Sequence, residues 1–353
     1  MAFGLSNVTS SGKVAALRVT VISVLVLGFS SPKIAWADSD LGAARSFVVL
    51  SSTGDVTFKN RVTISQVGSA SSCPGSVGCP GNVAGTTVLM GRGNAASPDL
   101  ISGDVIASAN SSQGLNCSGN PPGTTAICLG NDTEIAGVCA TGGGAISLPG
   151  ECTGGTDSSG SHPDLTTLYP QANTDAVAFS TVLTNLATTQ TLSAITLSTR
   201  GSMTISTASG LNVMSVPSIT TGTKSTITIH AAATDTVVVN VGSAAEPGSL
   251  QLGNGASIVL SGGITPDRVI FNLIGSGTTA QLGNDTVFNG TILAPQGEFT
   301  SGDGNTPRPV LINGALLFGG SVSLGNNTNL KFYPFGSVSG GGGGTSTSTA
   351  SQI

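Results

Sequence analysis

The chain is predicted to fold as a right-handed parallel β-helix, an all-β solenoid with one α-helix packed along its side. Three observations carry this expectation. The apolar segments are short, β-branched and bounded by Gly, Asn, Asp or Pro. The tripeptide Leu-Gly-Asn recurs at Leu129, Leu252, Leu282 and Leu324, in front of different strands. One stretch alone breaks the pattern with helical spacing.

At the N-terminus, Lys13 and Arg18 precede the apolar run from Val19 to Phe29, which is too short to span a bilayer as a helix. Ala35-Trp36-Ala37 supplies a small-x-small cleavage site. Residues 1–37 are therefore expected to be a secretory signal, with the mature chain starting at Asp38 and acting outside the cell or on its surface. The solenoid is expected to occupy 38–335, and 336–353 reads as a flexible Gly/Ser/Thr tail.

Strand segments such as "RVTIS", "STITIHA", "DTVVVNVGS", "RVIFNLIGS" and "VFNGTILAP" follow one another with turn residues between them. The uneven return of Leu-Gly-Asn fits coils that each carry a strand, a tight corner and a variable loop. Gly and Asn adopt positive φ with least strain, and an Asn side chain can bond the backbone of the next coil. The corner is thus read as structural rather than as a binding site. In 173–189, Phe179, Val182, Leu183 and Leu186 fall at i, i+3, i+4 and i+7, with Asn173 or Thr174 as N-cap and Asp175 in the first turn. This predicts an amphipathic helix whose apolar stripe faces the solenoid.

All six cysteines, Cys73, Cys79, Cys117, Cys128, Cys139 and Cys152, follow the signal and lie in 66–163, a region with strands expected at "TTVLM" and "DLISGDVIAS" and parts of which are read as long disulfide-pinned loops. Fifteen connectivities are open; pairing of neighbours asks least of the chain. A zinc site is disfavoured, since there is no C-x-x-C pair and the only histidines are His162 and His230. Charged residues are 8% of the chain, against about 25% in an ordinary domain. Beyond the signal, nine basic residues face seventeen acidic ones, a net of −8. That balance argues against a nucleic-acid partner. Trp36 is the only tryptophan and falls in the signal, so aromatic sugar platforms are scarce.

Catalytic chemistry is hard to find. Asp267, Asp285 and Asp303 are spaced eighteen residues apart and could stack on one face, as a glycoside-cleaving pair would need, but each sits in a turn where Asp is common without a catalytic role. The clusters "LGNDT" and "SGDGNT" supply one carboxylate each, short of a calcium site. Neither histidine has a motif to orient it as a base, and no G-x-S-x-G elbow precedes a helix. No cofactor or metal is expected.

The blocks "VVVNV" with Asn240, "VIFNL" with Asn272, "FNGTILAPQG" with Gly290 and Pro295, "VLINGALLFGG" with Gly314, and the closing "YPF" at Phe335 resemble the bacterial choice-of-anchor A family. That resemblance implies an exported surface domain with an adhesive role. The sorting signal or membrane helix that commonly follows such domains has no counterpart in the tail. "LGAARSFVVLSSTGDVT", from Leu41, is similar to the opening of the ice-binding β-helix family, which implies a helix beside a right-handed solenoid. Ice binding wants a flat array of Thr repeating at the strand spacing, and Thr226-x-Thr228 is expected not to recur in register. The expectation is a secreted non-catalytic solenoid acting by surface contact on a glycan, protein or other extracellular surface, with ice binding as the alternative and a polysaccharide-cleaving enzyme as a third reading.

Overall fold

In the computed structural model, which describes residues 39–66, 82–91, 99–109, 125–147 and 151–338, the short strands stack into three sheets of nine, eleven and ten strands. Every ladder in these sheets is parallel, so the architecture is a parallel β-helix. Ser39–Asp40 pairs antiparallel with Ser337–Val338. The interior is filled by aligned Val, Ile, Leu and Phe side chains, with tilted ring contacts between Phe271 and Phe288 and between Phe299 and Phe318.

The coils do not stack in chain order. Phe47–Ser51 lies in the middle of the eleven-stranded sheet, between Asn82–Gly85 and Leu316–Phe318. From there the chain winds outward to one end of the stack at Thr156–Asp157, crosses to the other end, and resumes at Gln190–Thr191. It then winds back until Thr328–Phe332 pairs with Thr63–Gln66. The first coil therefore rests on the last, and the crossing is made by a helix.

That helix, α1, spans Tyr169–Asn185 and follows a wider helical turn at Asp164–Leu168. It begins before the expected 173–189 because Pro170 suits a first helical turn and the small residues Ala172 and Ala176 extend the apolar stripe toward the N-terminus. Asp175 is not a first-turn residue: its Oδ2 accepts a hydrogen bond from the Ala43 N–H at 2.7 Å and so ties α1 to Gly42–Ser46. Leu186 ends the helix in an extended conformation. The Tyr169 hydroxyl donates to the Ser51 carbonyl at 2.7 Å.

The eleven-stranded sheet is buried on both faces, by the core and by α1, which explains why its strands read as unbroken apolar runs. Asn240 and Asn272 interrupt two of these runs at paired positions. The Asn240 Nδ2 donates to the Leu183 carbonyl at 2.8 Å, satisfying an acceptor near the helix end. The Asn272 Nδ2 donates to the Asn240 Oδ1 at 2.9 Å, and the Asn272 Oδ1 accepts from the Ser180 hydroxyl at 2.6 Å. Phe335 is buried, its ring 6.0 Å from that of Phe179.

The described part of 66–163 carries strands of the solenoid, among them the expected ones at "TTVLM" and "DLISGDVIAS", and the remainder of the region lies outside the described residues. Asn82–Gly85, Val88–Met90, Val105–Ala107, Thr125–Cys128 and Cys139–Thr141 each extend one of the large sheets. Strands of three or four residues with buried ends suffice once neighbouring coils supply the hydrogen bonds. Cys139 is bonded to Cys152, and Cys128 is also disulfide-bonded. Cys73, Cys79 and Cys117 lie outside the described residues, as do the signal segment and the tail beyond 338.

The Leu-Gly-Asn corners connect the ten-stranded to the nine-stranded sheet and stack as a ladder. Asn254 Oδ1 accepts from the Asn284 N–H at 2.9 Å, Asn284 Oδ1 from the Asp303 N–H at 2.9 Å, Asp303 Oδ1 from the Asn326 N–H at 2.9 Å, and Asn326 Oδ1 from the Asn60 N–H at 3.1 Å. Positive φ falls on the residue after the Asn, at Asp132, Gly255, Asp285 and Asn327, rather than on the corner glycine. The glycine is required for close approach: a Cβ on Gly325 would collide with the Gly302 carbonyl of the next coil. Replacing Asn284 by Ala is expected to cost about 1 kcal/mol, as each exposed rung is one hydrogen bond, and urea unfolding would measure it.

Candidate functional face

With one sheet covered by α1, the ten- and nine-stranded sheets present the open faces. The outward positions of the ten-stranded sheet form one continuous row. Thr196 pairs with Thr220, Thr220 with Gln251, Gln251 with Gln281, Gln281 with Thr300, Thr300 with Ser323, and Ser323 with Thr57. Five of these side chains are exposed and Ser323 and Thr57 are half-buried. At a strand spacing of about 4.8 Å the seven uncharged polar residues extend over roughly 29 Å. Leu89 ends the row beside Thr57. A second row, Ser249–Thr279–Glu298, runs alongside.

Each of the seven side chains is held between inward-facing neighbours, as in Leu250-Gln251-Leu252 and Ala280-Gln281-Leu282. The pattern follows from the two-residue side-chain period of a strand, which anchors both flanks in the core and projects the central residue outward. Three of the seven were marked in the sequence by the corner signal itself: Gln251, Gln281 and Ser323 each stand immediately before a Leu-Gly-Asn.

The nine-stranded face is less uniform. As expected, the Thr226-x-Thr228 pair does not recur in register: it lies against Ser202-x-Thr204 on one side and Ser257-x-Val259 on the other. The row of Thr226 then passes through Ser257 to Val287 and Leu311, so its hydroxyl character is lost within three coils. His230 lies at the sheet margin with Nδ1 3.0 Å from the Ser261 hydroxyl.

The three aspartates are not gathered at one place. Asp285 and Asp303 occupy corners leading into the nine-stranded sheet, whereas Asp267 lies in the short turn Pro266–Arg268 that leads out to the eleven-stranded sheet. Asp285 accepts from the Asn305 side-chain amide at 2.7 Å. The Asn326 N–H, followed by the Lys59 ammonium at 3.3 Å, holds the Asp303 carboxyl below its ordinary pKa, the opposite of what a general acid needs. Among the described residues, no group of three His, Cys, Asp or Glu side chains is placed to hold a metal ion.

The six motif residues have separate structural places. Asn240 and Asn272 clamp α1, and Phe335 packs on it. Gly290 and Gly314 have positive φ and stack where the chain turns into the eleven-stranded sheet, a Cβ on Gly314 colliding with the Gly290 carbonyl. Pro295 forms the corner between the eleven- and ten-stranded sheets.

Comparison with known proteins places this geometry in a family. Residues 50–330 match the family described as "Putative Ice-binding-like adhesive domain". No curated protein matches the chain. Among solved structures, it is similar to the ice-binding protein of the Antarctic ascomycete Antarctomyces psychrotrophicus, with 19% identity, 83% of this chain and 97% of that chain covered, and a TM-score of 0.45. An ice-binding protein from an Antarctic biological consortium gives 16% identity, 83% and 91% coverage and a TM-score of 0.45. The antifreeze protein LeIBP from an Arctic yeast gives 13%, 83% and 94%, and 0.41. Since the family match runs over most of the solenoid, the chain belongs to the ice-binding-like adhesive domain family.

Proposed function

We propose that the domain is an exported, non-catalytic adhesive module that grips an extended polar surface through the row from Thr196 to Thr57. The observation that carries this reading is the row itself: seven uncharged hydrogen-bonding side chains, in register on seven adjacent strands, anchored on both flanks in a packed core. Such side chains lose little further conformational freedom on contact, so weak individual contacts add along the row. The export signal expected in 1–37 and the resemblance of Val237 to Phe335 to choice-of-anchor A domains support an extracellular setting. Replacing both Thr220 and Thr300 by Tyr is expected to reduce adsorption to insoluble polysaccharide particles at least about tenfold with unchanged thermal unfolding, because both positions are exposed. Unchanged adsorption by the double variant would sink the proposal.

A second reading is ice binding, favoured by the absence of charge along the same row and by its hydroxyls at Thr196, Thr220, Thr300, Ser323 and Thr57. Gln251 and Gln281 break the hydroxyl pattern with longer side chains. If ice is the surface, crystals grown with the protein become faceted and the double Tyr variant restores rounded growth. Ordinary growth with the unaltered protein excludes that reading and leaves adhesion.

A further inference from the structure

Two hollows meet at the corner between the eleven- and ten-stranded sheets. One, of about 240 Å³, lies between α1 and the sheet, with Val177 and Thr181 on its rim. The other, of about 280 Å³, runs along the stacked corners beside Thr53, Thr279 and Glu298. Pro295 and Gln296 line both, so the hollows form one trough across adjacent coils. Its walls are hydroxyls, glycine backbone and the apolar faces of Pro295 and Val177, and Glu298 is the only charged side chain lining it.

Two observations point to a ligand. The side chains of Glu298, Gln296 and Thr279 make no hydrogen bond or ion pair among the described residues, although all three are exposed at the trough. Glycine keeps the floor low where the chain turns: a Cβ on Gly319 would run into the Pro295 carbonyl.

We propose that this trough binds a neutral saccharide chain, with Glu298 and Gln296 hydrogen-bonding adjacent sugar hydroxyls and Pro295 and Val177 contacting the apolar ring faces. A carboxylate accepts from two neighbouring hydroxyls at once, and a planar amide both donates and accepts. The lone Glu298 charge disfavours uronic or sulfated chains, since like charges repel at close range. The trough borders the row of the proposed adhesive face, and the inference deepens that reading by naming the ligand class at its edge.

The test is titration of the ¹⁵N-labelled full chain with cellohexaose, mannohexaose and trigalacturonate, read at the backbone amides of Gly277, Gly297 and Gly319. A neutral hexasaccharide is expected to shift these amides and saturate at roughly millimolar concentration, as befits one weak site in a multivalent contact. Trigalacturonate is expected to leave them unmoved. Glu298→Ala should weaken binding about tenfold, the loss of a charge-assisted hydrogen bond. Unmoved glycine amides with both hexasaccharides, or binding by Glu298→Ala equal to that of the unaltered protein, overturn the inference. If the Thr220 and Thr300 variant loses adsorption while the trough amides stay silent, the adhesive face stands and the trough falls. The reverse pattern separates the two in the other direction.

Discussion

Raising the pH from 4 to 8 is expected to destabilise the domain at the start of its helix, and Asp104→Asn to abolish that dependence. Asp104 precedes Val105–Ala107 and is 3% exposed. Its Oδ1 accepts from the Val138 N–H at 2.7 Å, and its carboxyl lies close to that of Asp164, which is fully buried in the turn that leads into α1. Burial raises the Asp104 pKa from 3.8 to about 7; Val138 opposes the shift, Asp164 adds to it, and His162 lowers it slightly. Between these values the folded chain holds a proton that the unfolded chain has released. Stability contributed by this group is therefore complete below about pH 4 and declines as pH rises toward 7. The upper bound is about 4 kcal/mol, since one pKa unit corresponds to about 1.4 kcal/mol.

Asp104→Asn places an amide where the protonated carboxyl stands, uncharged and able to accept from Val138 at any pH. Urea unfolding of both proteins across this range at constant ionic strength checks the prediction. A flat profile for the unaltered protein would show that folding does not raise the Asp104 pKa. Asp303 works in the opposite sense: its lowered pKa contributes stability that is lost as the pH falls through the acid range.

Replacing Asn272 by Ala is expected to cost about 3 kcal/mol. The side chain serves four groups: the Ser180 hydroxyl and carbonyl, the Thr184 hydroxyl and the Asn240 Oδ1. Its removal leaves the buried Asn240 Oδ1 without its donor beside the half-buried Ser180, where an unsatisfied buried group costs about 1–3 kcal/mol and relaxation recovers part of the loss. Because α1 has no other polar attachment as dense as this one, hydrogen exchange should rise first in its C-terminal half. Asn240→Ala removes fewer partners and should cost less. Equal stability of Asn272→Ala and the unaltered protein would mean that packing alone seats the helix.

Much of the local structure was legible in the residues. Short β-branched segments with Gly/Asn corners predict coils because a strand's side-chain period and the conformational demands of tight turns act over a few residues. The corner asparagines were expected to bond the next coil, and the ladder from Asn254 to Asn60 does so. Unbroken runs such as "VVVNV" and "VIFNL", set against alternating ones such as "TITIH", differ as a sheet covered on both faces differs from an open one, a contrast that takes its meaning from the structure. The outward row from Thr196 to Thr57 was present as single polar residues between apolar ones, but no one strand discloses which residue of another coil will stand beside it.

Only the tertiary structure decided the order of the coils. Placing Thr63–Gln66 against Thr328–Phe332, with α1 carrying the chain from one end of the stack to the other, is set by interactions across more than two hundred residues. Periodicity reports which face of a segment is buried, not which segment buries it. For the same reason the sequence showed Asn240 and Asn272 in similar blocks without revealing the helix they hold, and gave no sign that Asp104 and Asp164 would meet. The raised pKa of Asp104 follows because folding removes its carboxyl from water and brings it close to that of Asp164.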